Sequence, residues 1–244
     1  MARDKITGPL FKWFGSKWTA SKHYPEPTHD TVVEPFAGGA GYSLRYHEKD
    51  VILAESNENV YKLWSWLIDG ATENSIREIP LNLPEGTDIR EIGLNEGQTL
   101  LLKNWQRTNN VSGCWTISSW GNLPGQWTEN TRSRVASEFH NVKHWNVQRD
   151  GLALLGTTNE PCTWFIDPPY KFNYNYSSRA LDYTKLGVTV EKLSGQIIVC
   201  EAVCQKTDKV PDWLPFVPFR KSVTSRRKAN ENHHSRELIF MRDR

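Results

Sequence analysis

A chain of 244 residues with 38% hydrophobic content can bury one sizeable core, or a core with a small appended domain. Its 30 basic and 28 acidic residues leave a net charge of +2, so the chain is no polycation and any nucleic-acid surface must be local. No apolar run approaches the roughly 20 residues that span a bilayer, and the first residues lack the apolar stretch of a secretory signal. Four cysteines, Cys114, Cys162, Cys200 and Cys204, show no two-residue spacing and read as reduced thiols of a cytosolic, cytoplasmic protein. Cys200 and Cys204 lie four apart but without a histidine cluster, so no metal is expected.

In chain order, a first helix is expected from about Ser16. Thr31-Val32-Val33-Glu34 reads as an apolar strand running into the turn Pro35-Phe36-Ala37-Gly38-Gly39-Ala40-Gly41, after which Tyr42 to His47 can begin a helix. Glycines there would let the backbone approach a ligand closely, although a plain tight turn needs them equally. Val51-Ile52-Leu53-Ala54 is a second strand and ends at Glu55, where a nucleoside-binding unit puts an acid on the ribose hydroxyls. Val60, Leu63, Trp64, Leu67 and Ile68 recur at helical spacing over 57–69, with Gly70 as a stop.

Beyond Gly70 the pattern changes. Pro80, Pro84 and Gly86 break the chain, and a helix is expected over 88–107. Residues 109–127, rich in amides, glycine and tryptophan, read as a β-hairpin or exposed loop; Trp115, Trp120 and Trp127 fall outside apolar patterns. A helix over 129–140, a strand near 145–147 and a short helix at 150–155 lead back to the second half.

Cys162-Thr163-Trp164-Phe165-Ile166 reads as a buried strand with Asp167 at its carboxyl end, where open α/β sheets place their chemistry. Pro168 and Pro169 end the strand and stiffen the turn, since proline restricts its predecessor and donates nothing to a ladder. The result is a fixed carboxylate, two carbonyls without helical partners, and the ring of Tyr170. That set suits a flat heterocycle with an amino group: acceptors for its hydrogens and a ring for its face. Residues 171–179 read as a lid over it. Residues 196–202 form the next core strand, and 216–224 with 237–241 an antiparallel pair around a basic turn.

The pairing of Glu34-Pro35-Phe36-Ala37-Gly38-Gly39-Ala40-Gly41 with Asp167-Pro168-Pro169-Tyr170, preceded by Phe11-Lys12-Trp13-Phe14-Gly15-Ser16-Lys17, resembles the Dam-type (D12 class) DNA adenine methyltransferases. The resemblance covers 11–70 and 160–178 well, the carboxyl-terminal strands loosely, and 71–150 only in outline. It implies an α/β fold: a Rossmann-like methyltransferase sheet with helices on both faces and an inserted target-recognition subdomain. Residues 1–70 and 150–244 would be catalytic, and 71–149 the insertion. It further implies S-adenosylmethionine as cofactor, S-adenosylhomocysteine as product, and double-stranded DNA as partner. Trp13, Lys17, Glu34, Phe36, Gly38, Gly39, Gly41, Glu55 and Asp167 would bind the cofactor, with Lys17 on its carboxylate. The loop from Asp167 to Tyr170 would receive the flipped adenine.

Transfer to the 6-amino group is then the expected reaction, with no metal or covalent intermediate. Hydrogen bonds to Asp167 and the Pro168 carbonyl would make that amine a better nucleophile while Tyr170 stacks on the base. Asn109, Trp120 and Asn122 would read bases, and Arg132, Arg134, Lys171, Arg226, Arg227 and Lys228 would contact phosphates. An RNA adenine enzyme, a cytosine 4-amino methyltransferase and an inactive nucleic-acid-binding relative are alternatives. The recognition sequence and the oligomeric state are not legible in these residues.

Overall fold

The computed structural model describes residues 5–106, 113–119, 121–156, 160–171, 181–202, 212–214, 218–224 and 236–243. Among these described residues, seven strands form a single sheet: β1 (Thr31–Glu34), β2 (Asp50–Ala54), β3 (Asn146–Gln148), β4 (Cys162–Ile166), β5 (Gly195–Ala202), β6 (Pro218–Thr224) and β7 (Arg236–Asp243). Their order is β3-β2-β1-β4-β5-β7-β6. The first five are mutually parallel, and β7 pairs antiparallel with both β5 and β6. The chain leaves β1 toward β2 on one side and returns to β4 on the other. That reversal makes the carboxyl ends of β1 and β4 the place where a crevice opens.

Strands β4 and β5 are buried along their whole length, which explains why they read as continuous apolar runs instead of alternating ones. Their side chains divide by parity. Cys162, Trp164, Ile166, Ile197 and Val199 join one core, whereas Phe165, Ile198 and Cys200 join the other. The first core lies under α5 (Gly151–Leu154) and α6 (Tyr183–Glu191), through Leu154, Leu186 and Val190. The second, larger core gathers α1 (Glu58–Ser65), α2 (Glu73–Arg77), α3 (Glu96–Trp105) and α4 (Glu129–Glu138). Helices thus cover both faces, as expected.

Several elements differ from the expected ones. No α-helix starts at Ser16; residues 13–20 turn instead, and one 3-10 turn follows at Ser21–His23. Packing decides this, because the backbone here is pressed against the glycine turn: a Cβ on Gly41 would lie 2.3 Å from the Trp18 nitrogen. The expected helix after Gly41 is likewise only a 3-10 turn, Ser43–Tyr46. α1 runs on through a π-helical turn, Trp66–Gly70.

The helix expected over 88–107 begins eight residues late. Asn95 caps α3 with a reciprocal bond to Gln98, and Gly93 before it is left-handed at φ +77. Residues 86–89 pair instead with 115–117, through an antiparallel bridge between Asp88 and Thr116 and a bond from the Ile117 nitrogen to the Thr87 carbonyl at 2.9 Å. From Gly97 to Gln106 no residue of α3 is exposed. This helix, expected in an appended subdomain, is part of the same continuous core as β1 and β2. Strand β3, also within 71–149, extends the main sheet beyond β2. Among the described residues, no helix is long and apolar enough to cross a membrane.

Candidate active site

The carboxyl edge of the parallel sheet carries a row of acids. Glu34 closes β1, Glu55 follows β2, Asp167 follows β4, and Glu201 is the penultimate residue of β5. All four are withdrawn from water: residue exposure is 2% at Glu34, 8% at Glu55 and 0% at Glu201, and the Asp167 side chain is 16% exposed. Burial pushes the Glu34 carboxyl up to about 8, opposed by the bond it accepts from the Ser43 nitrogen at 2.7 Å. Burial raises Glu55 as well, against backbone donors at Gly38 (2.8 Å) and Asn57 (2.7 Å). Glu201 is pushed up to about 7 by burial and, to a smaller degree, by the neighbouring Asp167.

Lys17 is the cation set into this row. Its ammonium lies 2.7 Å from Asp167 Oδ2, donates to the Gly15 carbonyl at 3.0 Å and sits 5.1 Å from the centre of the Tyr170 ring. Lys17, expected to meet a cofactor carboxylate, thus lines the cavity while paired with Asp167, and its side chain is 8% exposed.

The loop itself is tied down at two further points. The Pro169 carbonyl accepts from the Tyr183 hydroxyl of α6. Glu201 accepts from the Lys171 nitrogen on both oxygens (3.2 and 3.3 Å), from the Ala202 nitrogen (2.8 Å) and from the Trp213 indole (2.8 Å). Glu201 was missed in reading the sequence. The available signal was an acid ending the apolar run 195–202, the same signal that singled out Glu55.

The glycine turn does approach something closely, but that something is protein. A Cβ on Gly38, which has φ +48, would lie 2.6 Å from the Trp13 ring, and one on Gly39 3.2 Å from Ser16 Oγ. Trp13 to Trp18 therefore clasp the turn. The Trp64 indole donates to the Gly38 carbonyl at 2.8 Å and holds it from the other side.

Between these elements lies a cavity of about 810 Å³. Trp13, Lys17, Glu34, Phe36, Gly38, Gly39, Gly41, Glu55, Asp167, Pro168 and Pro169 all line it, so the residues expected to bind cofactor and those expected to do chemistry share one space. Tyr170 borders this site and packs on the larger core. Lys103, Asn104, Arg149 and Asp150 also line the cavity and were not foreseen.

The residues expected to contact DNA lie elsewhere. Arg132 and Arg134 both have their guanidiniums engaged by groups of the protein. Arg132 donates to the carbonyls of Arg77 (2.8 Å) and Ile79 (3.1 Å) and pairs with Glu129 at 2.6 Å. Arg134 pairs with the buried Glu138 at 2.7 Å and donates to the Pro9 carbonyl at 2.7 Å. Trp127, which closes the stretch read as a β-hairpin or exposed loop, is buried. It is 2% exposed and packs 6.4 Å from Trp105, because a ring of that size is better buried than presented. Trp115 lies under Lys103 and Arg90 at 4.0 and 5.5 Å. The Asn122 amide donates to the Leu83 carbonyl at 3.1 Å, and Lys171 pairs with Asp212 at 2.7 Å. Asn109, Trp120, Arg226, Arg227, Lys228 and residues 172–180 lie outside the described residues. Among the described residues no cluster of histidine, cysteine and carboxylate side chains could hold a metal ion.

No curated protein matches this chain. Residues 13–91, which run from the clasp through β1, the glycine turn, β2 and α1 to just beyond α2, match the family model of the D12 class N6 adenine-specific DNA methyltransferases, the family that the motifs resemble, and DNA adenine methylation is the activity that goes with it.

Proposed function

We propose that this protein is a cytoplasmic enzyme that transfers a methyl group from S-adenosylmethionine to the 6-amino group of adenine in double-stranded DNA. The observation that carries the reading is a single one. The turn after β1 and the Asp167-Pro168-Pro169 turn after β4 line one cavity at the reversal point of the sheet.

The cavity residues suit such a donor. Glu55 has a carboxylate oriented by two backbone amides and keeps lone pairs for ribose hydroxyls, while Trp13 and Phe36 offer flat apolar surface. When bound, the donor supplies an electrophilic methyl group on a positively charged sulfur. Asp167 and the Pro168 carbonyl would accept the two hydrogens of the adenine amine and so fix the position of its nitrogen in the cavity. As that nitrogen gains positive charge Asp167 would stabilise it, and the charge is discharged when the methylated amine releases one of its two protons. Lys17 orients Asp167 from the protein side, Glu201 and Tyr183 hold the loop, and Tyr170 stacks on the base. Residues 71–149 contribute target recognition together with wall for the cavity.

The test is tritiated-methyl transfer to duplex DNA, with the modified nucleoside identified by mass spectrometry. Asp167→Ala is expected to lower transfer several hundred-fold, the equivalent of about 3 to 4 kcal/mol, with S-adenosylhomocysteine affinity nearly intact in calorimetry. Near-normal transfer by this variant overturns the mechanism, and a product other than N6-methyladenine overturns the substrate.

A further inference from the structure

The cavity has three cationic side chains among its described lining residues: Lys17, Lys103 and Arg149. Lys17 is paired with Asp167, and Arg149 is exposed and lies over the Tyr61 ring at 5.4 Å. Lys103 is different. It sits in the last turn of α3 and is only 7% exposed, with its ammonium 4.0 Å from the centre of the Trp115 ring. Among the described residues no carboxylate or carbonyl accepts a hydrogen bond from it.

A buried ammonium without an acid is costly, and a ring face offsets only part of the lost hydration. The one carboxylate of its own helix, Glu96, stands about two turns away in the first turn and pairs with Lys62 at 2.7 Å. Desolvation lowers its proton affinity accordingly. Such a group in a cavity wall is set up for an anion that arrives with the ligand.

We propose that Lys103 is the anion subsite of this cavity and takes the carboxylate of the methyl donor's amino-acid moiety. The proposal rests on the cofactor reading above. Two features favour a carboxylate over a DNA phosphate. Lys103 is buried in the wall of a cavity that also holds the glycine turn and Glu55, whereas a strand's phosphates run along an open surface. Lys17, expected for this task, is taken by Asp167.

Calorimetry on the full chain tests it with three probes: S-adenosylhomocysteine, its carboxyl methyl ester, and 5′-methylthioadenosine, which lacks the amino-acid moiety. In the wild type, esterification should weaken binding roughly ten- to a hundredfold, as for a lost hydrogen bond to a charged group. Lys103→Met and Lys103→Gln should bind acid and ester alike, with methylthioadenosine affinity unchanged, and this last value also reports an intact cavity. A wild type that binds acid and ester equally overturns the proposal without any variant. Equal losses on all three probes make Lys103 a packing residue and overturn it too. Variants that keep the acid preference but lose duplex affinity assign the ammonium to a phosphate, which overturns the carboxylate assignment. Failure of S-adenosylhomocysteine to bind the wild type overturns the cofactor reading, and this subsite with it.

Discussion

Removing the ammonium of Lys17 tests whether the row of strand-end acids is held together as the geometry implies. Lys17 and Asp167 meet at 2.7 Å with side chains 8% and 16% exposed, and Glu34 also feels both charges. At an effective dielectric constant of about 20, attraction at that distance is about 6 kcal/mol, against a desolvation cost of several kcal/mol for each ion. The pair as a whole is therefore close to neutral for stability, whereas either half alone is not. Lys17→Met should destabilise by about 3 to 5 kcal/mol, because it leaves Asp167 buried beside other carboxylates. Asp167→Asn should cost a similar amount by stranding the ammonium, and the double variant should recover much of both. The expected coupling is about 4 to 6 kcal/mol, most of the summed single losses, read from urea unfolding of the four proteins. Methyl transfer should stay low in every variant that lacks Asp167, including the stable double one. Additive losses, with coupling under about 0.5 kcal/mol, would refute the buried pair and leave Lys17 available to a ligand.

Two further expectations concern charge elsewhere. Glu34 is pushed from 4.5 up to about 8, so the folded chain binds more protons than the unfolded one between those values, and stability falls as pH rises through that window. Glu201 adds the same sign up to about 7, so Glu34→Gln, which keeps an acceptor for the Ser43 nitrogen, should flatten the decline most clearly between pH 7 and 8; an unchanged slope there would refute the burial argument. Arg134→Ala should destabilise by about 1.5 to 3 kcal/mol through its bonds to Glu138 and Pro9, yet leave the salt dependence of duplex binding unaltered. A salt slope reduced by about one unit would return Arg134 to the DNA surface.

The sheet was legible because its signals are local. Apolar runs ending in Glu34, Glu55 and Asp167 each announce a buried parallel strand, and each acid falls at the edge where the crevice opens. What could not be read are partners chosen across long separations. Lys17 is 150 positions from Asp167, and only the pairing of β1 with β4 places the clasp beside the turn that follows β4. Gly38 and Gly41 looked like ligand-approach positions, but the same lack of a Cβ serves equally to admit Trp13 and Trp18, and no local pattern separates the two uses. Arg132 and Arg134 show a related limit. A basic pair on a helix has the same appearance whether it faces a phosphate or a carbonyl, and here Glu129, Glu138 and Pro9 had first access to it.

The buried helix α3 shows the same limit at the scale of a domain. Its Gly97 allows the Trp66 ring to pack within 2.1 Å of where a Cβ would stand, so α3 docks on the helical extension that follows β2. A segment that departs from the family's pattern in sequence therefore still contributes to the core and to the cavity wall. Target preference and cofactor binding should be coupled in this protein, because Lys103 and Asn104, which line the cavity, stand in the last turn of α3, the end from which the chain leads on to 113–127. A change that moves α3 to alter DNA recognition also moves the wall against which the methyl donor would lie.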